Sequence, residues 1–436
     1  MCLLRQNGQI SRFLRPPHAA VMAAPVEATA GLAARRALFI QFHTRLPPRC
    51  PKFIWPPNLA LLAAQDTLDA DLFAPADKDS TWRPNGEYER AFLKHLVKRI
   101  ESAIESCSDT ELAALRIERA DLCVSEPLLE RYVASISQAT TDTEGYVEVS
   151  LCGARLTSSA VIGTPAPTAD YVRYFFPLPA ETLTDPVQHP LLGPSDHVVL
   201  REEGSPISQG TTGLRTWEAS LRLGAHLVHG YNTYFRDGAR IVELGSGAGF
   251  LSMLCAKALA YRKDARVYAT DLEGAVLQRL AETTELNAVD RVEVCPVDWL
   301  AVANAAATPD AACLEQADAT HVVAADVVYD PALLDALVLT LRAALRGSGA
   351  SQRLPKDPAV HSWEATLPSA LVASTVRNPD TYAAFIDLLE KHGMRWREVN
   401  AVQAVWPNTD LPVFPSAHEA SRDGQVRLVS IQLRAP

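Results

Sequence analysis

No stretch of this 436-residue chain reaches the roughly 18 uninterrupted apolar residues that a membrane-crossing helix requires. The longest apolar runs, around Ala37–Phe42 and Leu59–Ala64, are short and flanked by Pro or Arg, so no membrane segment is expected. A secretory apolar core with a cleavage site is also missing. The eight cysteines (Cys2, Cys50, Cys107, Cys123, Cys152, Cys255, Cys295, Cys313) form no C-x-x-C pair. That excludes zinc ribbons and thioredoxin-type chemistry and leaves buried free thiols in a reducing compartment. Acids are scarce at the start: residues 1–65 hold eight Lys and Arg against Glu27 alone, a local charge of +7. With −10 overall, the remaining residues carry −17. An acidic body does not suit a general nucleic-acid binder, which needs a basic face to displace counterions. It suits a partner that presents a cation. The acid-poor start, with Arg5, Arg12 and Arg15 among Ser and small apolar residues, reads as a disordered tail over 1–30 or as a mitochondrial presequence. The cytoplasm is the expected compartment and a monomer the expected state.

What the chain does contain changes character near residue 205. Before it, over 31–204, the pattern is mainly helical with a few strands. Helices are expected at Ala34–Phe42, Asn58–Asp66, Tyr88–Glu105, Asp109–Leu115 and Glu126–Ser137. The third carries Tyr88, Phe92, Leu96, Ile100 and Ile104 at four-residue spacing, one apolar stripe. Strands are expected at Gly145–Cys152 and His197–Glu202, with a Pro/Thr-rich loop, 157–195, between them. From 205 to 436 strands and helices alternate. Strands at Arg240–Leu244, Arg266–Thr270, His321–Ala325 and Ala370–Val376 are each followed by a helix, and the strand at Val292–Val297 ends in Asp298–Trp299. Arg395–Ala401 and Val426–Leu433 close the chain as strands. Alternation of this kind predicts an α/β fold, a parallel sheet with helices on both faces. The segments 301–318, 347–367 and 402–424 read as loops, the last (with Trp406 and Phe414) as a lip over a site. His226 and His229, three apart on a helix, read as a solvated face, and no metal site is expected.

The stretch "IVELGSGAGF", residues 241–250, packs three glycines into five positions at the end of a strand. In an open α/β sheet the ligand sits beyond the carboxyl ends of the strands. Gly245 permits a sharp turn, Gly247 a close approach of the backbone, and Gly249 opens a helix whose free amides face the same place. The nicotinamide-dinucleotide fingerprint G-x-G-x-x-G is not met, because its third position is Phe250. The pattern is G-x-G-x-G after an acid, Glu243, which points to a ligand without a pyrophosphate. Ser246 is no hydrolase nucleophile, since G-S-G-A-G is not the G-x-S-x-G elbow. The next strand ends at Asp271, 26 residues after Gly245, where a carboxylate can accept from both hydroxyls of a ribose. The third ends in Asp298, an acceptor for an adenine amine, and Trp299, a cover for its ring. The fourth ends "AADVVYD": small Ala325 allows close approach, and Asp326 and Tyr329 point toward the mouth. Upstream, Trp217 starts an amphipathic helix and is placed to wall a nucleoside.

These stretches together resemble the seven-stranded, S-adenosylmethionine-dependent methyltransferases. Within them the chain is similar to the eukaryotic elongation factor 2 lysine methyltransferase family. The likeness is carried by "ISQGTTGLRTWEA" (207–219), "VELGSGAGFLS" (242–252), "VDW" (297–299), "VVAADVVYD" (322–330) and "STVRNPDTYAAF" (374–385). Two N-terminal stretches, 35–56 and 88–102, add to it, so it spans roughly residues 30–434 with gaps at the insertions. The resemblance implies a Rossmann-like seven-stranded sheet whose last strand is antiparallel, behind a family-type N-terminal domain. It implies S-adenosylmethionine contacts from Trp217, Gly245, Ser246, Gly247, Asp271, Trp299 and Ala325, beside Glu243, Gly249 and Asp298 from the residue reading. It implies a D-x-x-Y motif, Asp326–Tyr329, at the methyl-transfer mouth, and a lysine of elongation factor 2 as substrate. A small-molecule methyltransferase and a non-catalytic cofactor-binding adaptor remain as alternatives.

Overall fold

The computed structural model describes residues 25–73, 85–116, 118–147, 170–179, 188–203, 214–304, 308–346, 368–402 and 404–434. Its centre is a seven-stranded sheet made of β4 (Arg240–Leu244), β5 (Arg266–Asp271), β6 (Val292–Pro296), β7 (His321–Ala325), β8 (Ser369–Val376), β9 (Met394–Val399) and β10 (Gln425–Leu433). The spatial order is β6-β5-β4-β7-β8-β10-β9. The first five strands are parallel, and β10 runs antiparallel to both β8 and β9. Parallel strands covered on both faces read as unbroken apolar runs, and "IVEL" of β4 and "HVVA" of β7 are buried throughout. Register places the strand tips level: Leu244 sits opposite Thr270 on one side and Ala324 on the other. The residues that follow those tips therefore share one rim.

The N-terminal region packs α1 (Pro25–His43), α2 (Asn58–Phe73), α3 (Gly86–Ser106), α4 (Asp109–Ala114) and α5 (Glu126–Val147) beside a three-stranded sheet. The stripe on α3 lies as its spacing requires, with Phe92, Leu96 and Ile100 fully buried. Asn85 caps that helix, its side chain accepting from the Tyr88 amide at 2.8 Å. The small sheet has the order β1-β3-β2, where β1 is Asp170–Pro177, β2 is Gln188–His189 and β3 is Gly193–Glu202. The expected loop over 157–195 is corrected here: β1 and β2 fall inside it. The run "DYVRYFFP" is buried at five consecutive positions, Val172 to Phe176, so it shows no alternation to betray a strand. The strand expected at Gly145–Cys152 is also corrected, since α5 continues through Gly145–Val147; the rest of it lies outside the described residues. So do residues 1–24 of the expected tail, whereas 25–30 belong to α1.

The small sheet is fastened to the large one. Asn287, at the end of α9 (Ala275–Leu286), is buried and closes a reciprocal pair with β3. The Val199 amide donates to Asn287 Oδ1 at 2.8 Å, and Asn287 Nδ2 donates to the Val199 carbonyl at 2.7 Å. An amide side chain here supplies backbone-like partners that β3 would otherwise lack. Arg279 of α9 donates to the Arg201 carbonyl and pairs with Glu203 at 3.2 Å. Three rings complete the seam: Tyr174 of β1, Phe250 at the start of α8 (Phe250–Ala258), and Phe414, with centroids 5.0–6.2 Å apart. One buried apolar cluster consequently runs from Ala34 through Phe250 to Leu428.

Three further expectations are revised. The segment 301–318 is no simple loop: α10 (Trp299–Asn304) and α11 (Pro309–Ala317) occupy it. The Thr308 side chain caps α11 and Pro309 fills its first position, a readable start signal. The 402–424 segment is not an exposed lip at its aromatic residues, because Trp406 is fully buried and Phe414 nearly so. His226 is not solvated. It is buried on α6 (Glu218–His229), its Nε2 3.0 Å from Tyr234 Oη, and only His229 faces out. Among the described cysteines all are free, and Cys123 is exposed rather than buried. No helix among the described residues is long and apolar enough to cross a membrane. The 347–367 insertion lies outside the described residues.

Candidate active site

Beyond the level tips of β4, β5, β6 and β7 lies a crevice of about 290 Å³. It is lined by Gly245, Ser246, Gly247, Asp271, Asp298, Trp299, Ala325, Asp326, Tyr329 and, from the chain ahead of α6, Trp217. Ten of the twelve residues singled out in the sequence are thus brought together by structure.

The glycine loop forms the floor. Gly245 has φ +69°, and a Cβ there would stand 3.0 Å from Val327 Cγ1 and 3.5 Å from the Trp299 ring. Both the left-handed backbone and the crowding call for glycine. The Ser246 amide donates to the Thr270 carbonyl at 2.9 Å, which ties the loop to the tip of β5. Asp271 holds its other end: Gly247 N–H donates to Oδ2 and Leu272 N–H to Oδ1, each at 2.8 Å. Burial raises the Asp271 carboxyl above its ordinary range, and those two amide bonds oppose the rise. A carboxylate has about four acceptor positions, so two remain for hydroxyls of a ligand. Asp298 accepts from the Leu300 amide at 2.8 Å, while its own amide donates to Asp310 of α11. Its carboxylate also keeps acceptor capacity toward the crevice.

The opposite wall differs from expectation. Asp326 does line the crevice, but its carboxylate is turned back onto β8. Oδ1 accepts from the Thr375 amide at 2.7 Å and Oδ2 from the Thr375 hydroxyl at 3.0 Å. Arg377 stands 3.7 Å from Oδ2, and its guanidinium lies 5.3 Å from the Trp217 ring centroid. The Asp326 side chain is only 6% exposed and its backbone has φ +54°, a conformation that Asp tolerates better than most residues. Tyr329, by contrast, is 58% exposed at the rim. Sequence reasoning missed Thr375 and Arg377. Their signal was the "STVRNP" stretch at the end of β8, a fifth strand tip on the same rim.

Glu243 and Gly249 do not line the crevice. Glu243 is buried beneath the loop and accepts a hydrogen bond from the Ser252 hydroxyl of α8. Gly249 has φ +91°, and a Cβ would lie 2.8 Å from Leu280 Cδ1, so this glycine serves the packing of α8 on α9. Burial pushes the Glu243 carboxyl up to about 8, with the Ser252 bonds pulling the other way. The folded value lies above the unfolded one, near ~4.3. The stability contributed by protonated Glu243 is therefore full below the unfolded value and is lost as pH rises through about 8. Glu243→Gln, which still accepts from Ser252, is expected to flatten the fall in melting temperature between about pH 5 and pH 8. A slope the substitution leaves unchanged would remove Glu243 as its source. His197 and His321, pushed down by burial to about 3 and about 4, weaken the fold on the acid side instead.

The crevice suits an adenosyl group. Its volume is near the lower end for small-molecule pockets, roughly 300–1,000 Å³. Ser246 Oγ is buried there without a hydrogen-bond partner, Asp271 retains acceptor sites, and Trp217 and Trp299 offer flat walls. A seven-stranded sheet with its β10 strand reversed, carrying such a crevice at its carboxyl rim, defines an S-adenosylmethionine-dependent methyltransferase. Residues 196–351 match the lysine methyltransferase family. Protein-lysine N-methyltransferase EFM3 of Chaetomium thermophilum is 28% identical over 344 residues, 76% of this chain and 80% of that protein. Protein-lysine N-methyltransferase EEF2KMT of Homo sapiens is 31% identical over 240 residues, 52% of this chain and 62% of that protein. A SAM-dependent methyltransferase from Aquifex aeolicus overlaps 50% of this chain and 94% of its own, with 14% identity and a TM-score of 0.31. The chain is a protein-lysine methyltransferase that uses S-adenosylmethionine.

Proposed function

We propose that the protein methylates a lysine of translation elongation factor 2. The reading is supported by relatives named EEF2KMT from three mammals, 31–32% identical. Described residues of the stretches that resemble that enzyme family, Arg215, Trp217, Asp326 and Arg377, also stand on one rim. The observation that carries the chemistry is the crevice itself, with Asp271 on one wall and the Asp326–Thr375–Arg377–Trp217 group on the other.

When bound, S-adenosylmethionine supplies a methyl group activated by its cationic sulfonium. Asp271 would hold its ribose hydroxyls, Asp298 its adenine amine, and Trp299 the face of its ring. Gly245 and Gly247 leave room for the methionine part, with Ser246 as an added polar contact. The substrate lysine must shed a proton first, and neutralising it at pH 7 costs about 4.6 kcal/mol from a reference pKa of ~10.4. Burial between Trp217 and Tyr329 lowers that cost by disfavouring the ammonium. Asp326 is no free base, since Thr375 and Arg377 occupy its oxygens. It fixes the backbone of the rim and thereby the approach of the amine, while water accepts the proton. Alignment of this kind contributes several kcal/mol to a bimolecular step.

The test is incubation of the purified chain with methyl-labelled cofactor and elongation factor 2, followed by amino-acid analysis of the product. Label recovered in methyl-lysine is the expected result. Label on a small metabolite, or on nothing, would replace this reading with one of the two alternatives.

A further inference from the structure

A second and larger cavity, about 1,080 Å³, opens beside the first. The two share Arg215, Thr216 and Trp217 as a common wall. The small crevice draws only on the methyltransferase part of the chain, whereas the large cleft is built by both. Thr44–Pro47 after α1, Asn85 and Glu87 at the start of α3, and Asp170, Val172 and Tyr174 of β1 form one side. Residues 415–418 and 420–424 form the other.

The N-terminal side is braced by an internal ion pair. Arg45, in a left-handed backbone conformation with φ +56°, pairs with Asp170 at 3.1 Å, and Asp170 also accepts from Asn85 Nδ2 at 3.1 Å. Their side chains are 9% and 16% exposed. Arg45 further donates to the Tyr171 carbonyl and lies over the Tyr88 ring. Three separate chain segments, 44–47, 85–88 and 170–174, are so fixed into one wall. Such bracing leaves the wall pre-shaped, which lowers the ordering cost of a bound chain segment.

The cleft's charge is lopsided. Its lining holds six carboxylates against four guanidiniums. Asp170 is matched by Arg45, Asp423 by Arg422 at 2.8 Å, Glu218 by Arg222 at 2.7 Å and Glu203 by Arg279 at 3.2 Å, which leaves Glu202 and Glu87. Glu202 accepts from Tyr174 Oη at 3.1 Å on the floor, and burial raises its carboxyl above the ordinary range. Glu87 stands exposed on the rim in the first turn of α3. A nucleoside-sized ligand needs only the small crevice. A cleft almost four times larger, sharing a wall with it and carrying the exposed Glu87 carboxylate on its rim, fits a length of polypeptide bearing positive charge.

We infer that this cleft seats the basic segment of the substrate protein that flanks the target lysine, delivering the lysine past Trp217 into the crevice. The inference rests on the protein-lysine methyltransferase reading and assigns the choice of substrate to the N-terminal wall. Glu87 is then a specificity-determining contact that touches neither cofactor nor methyl group.

Its test compares Glu87→Lys with Glu315→Lys, an equal charge change at an exposed site on α11 outside both cavities. The substrate probe is purified elongation factor 2. Glu87→Lys is expected to raise KM for the protein about threefold to fivefold at low salt, the difference shrinking as ionic strength rises. Calorimetric affinity for S-adenosylmethionine should be unaltered, and Glu315→Lys should match the parent enzyme. A photo-crosslinker placed at Ser416, on the facing wall, is expected to capture the substrate, and one at position 315 is not. If the parent enzyme labels no elongation factor 2, the substrate reading has failed, and the comparison is repeated on the protein that it does label in a methyl-deficient extract. If it labels no protein, the enzyme reading and this inference fall together. An unchanged KM for Glu87→Lys with normal labelling by the parent, or equal crosslinking from positions 416 and 315, would overturn the inference alone.

Discussion

Asp271→Ala is expected to weaken S-adenosylmethionine binding about 100-fold, measured by calorimetry on the purified protein. Two losses add. The carboxylate would no longer accept from the two ribose hydroxyls, and a hydrogen bond to a charged group contributes about 1.5–3 kcal/mol. Losing about 3 kcal/mol corresponds to about two orders of magnitude in affinity. The glycine loop would also lose its anchor, because Gly247 and Leu272 both donate to this side chain. Asp271→Asn separates the effects: it keeps one acceptor oxygen for the loop and discards the charge, and an intermediate loss of about tenfold is expected. Unchanged binding by the alanine variant would take Asp271 out of the site.

Asp326→Ala should act on rate instead. Turnover of the protein substrate is expected to fall about 100-fold, with cofactor affinity held within about threefold. The reasoning follows from where the carboxylate is spent. Thr375 occupies both of its oxygens and Arg377 stands beside one. Removing it leaves the Thr375 amide and hydroxyl without that acceptor and frees Arg377 from one of its two attachments, the other being the Trp217 face. It also leaves Ala at φ +54°, a backbone state that costs alanine about 1 kcal/mol or more. The rim then loosens by fractions of an ångström, which is enough to spoil an in-line approach. Asp326→Asn suits the same backbone and still accepts from the Thr375 amide, so it should recover a large part of kcat. A normal rate for the alanine variant would refute the positioning role. Equal losses for the alanine and asparagine variants would assign the effect to charge rather than geometry.

The rim was legible in the sequence because strand tips announce themselves. Asp271, Asp298 with Trp299, and Asp326 each interrupt an apolar run where a parallel strand must end, and register then brings those ends level. Glycine was legible as a group but not individually. Gly245 answers to the crevice, whereas Gly249 answers to Leu280, a residue about thirty positions away in sequence. Glu243 was misplaced for a related reason. Its proximity to the glycines suggested a ligand, but strand alternation turns it toward Ser252 in the interior. β1 escaped notice because both of its faces are covered, which erases the period-two pattern that marks a half-buried strand. The two helices between 299 and 317 escaped because 301–318 was read as a loop, although Thr308–Pro309 marks a helix start. No local rule could foresee the larger cleft, whose walls come from segments up to about 380 residues apart.

The ring trio of Tyr174, Phe250 and Phe414 has an evolutionary corollary. Phe250 follows the last glycine of the loop directly, so the residue that launches α8 is also the one on which the foreign strand and the returning tail rest. Neither half of such a molecule can be swapped for that of a cousin without recutting this joint. A change in any one of the three rings is therefore felt on both sides of the joint at once, by the small sheet and by the helix that follows the glycine loop.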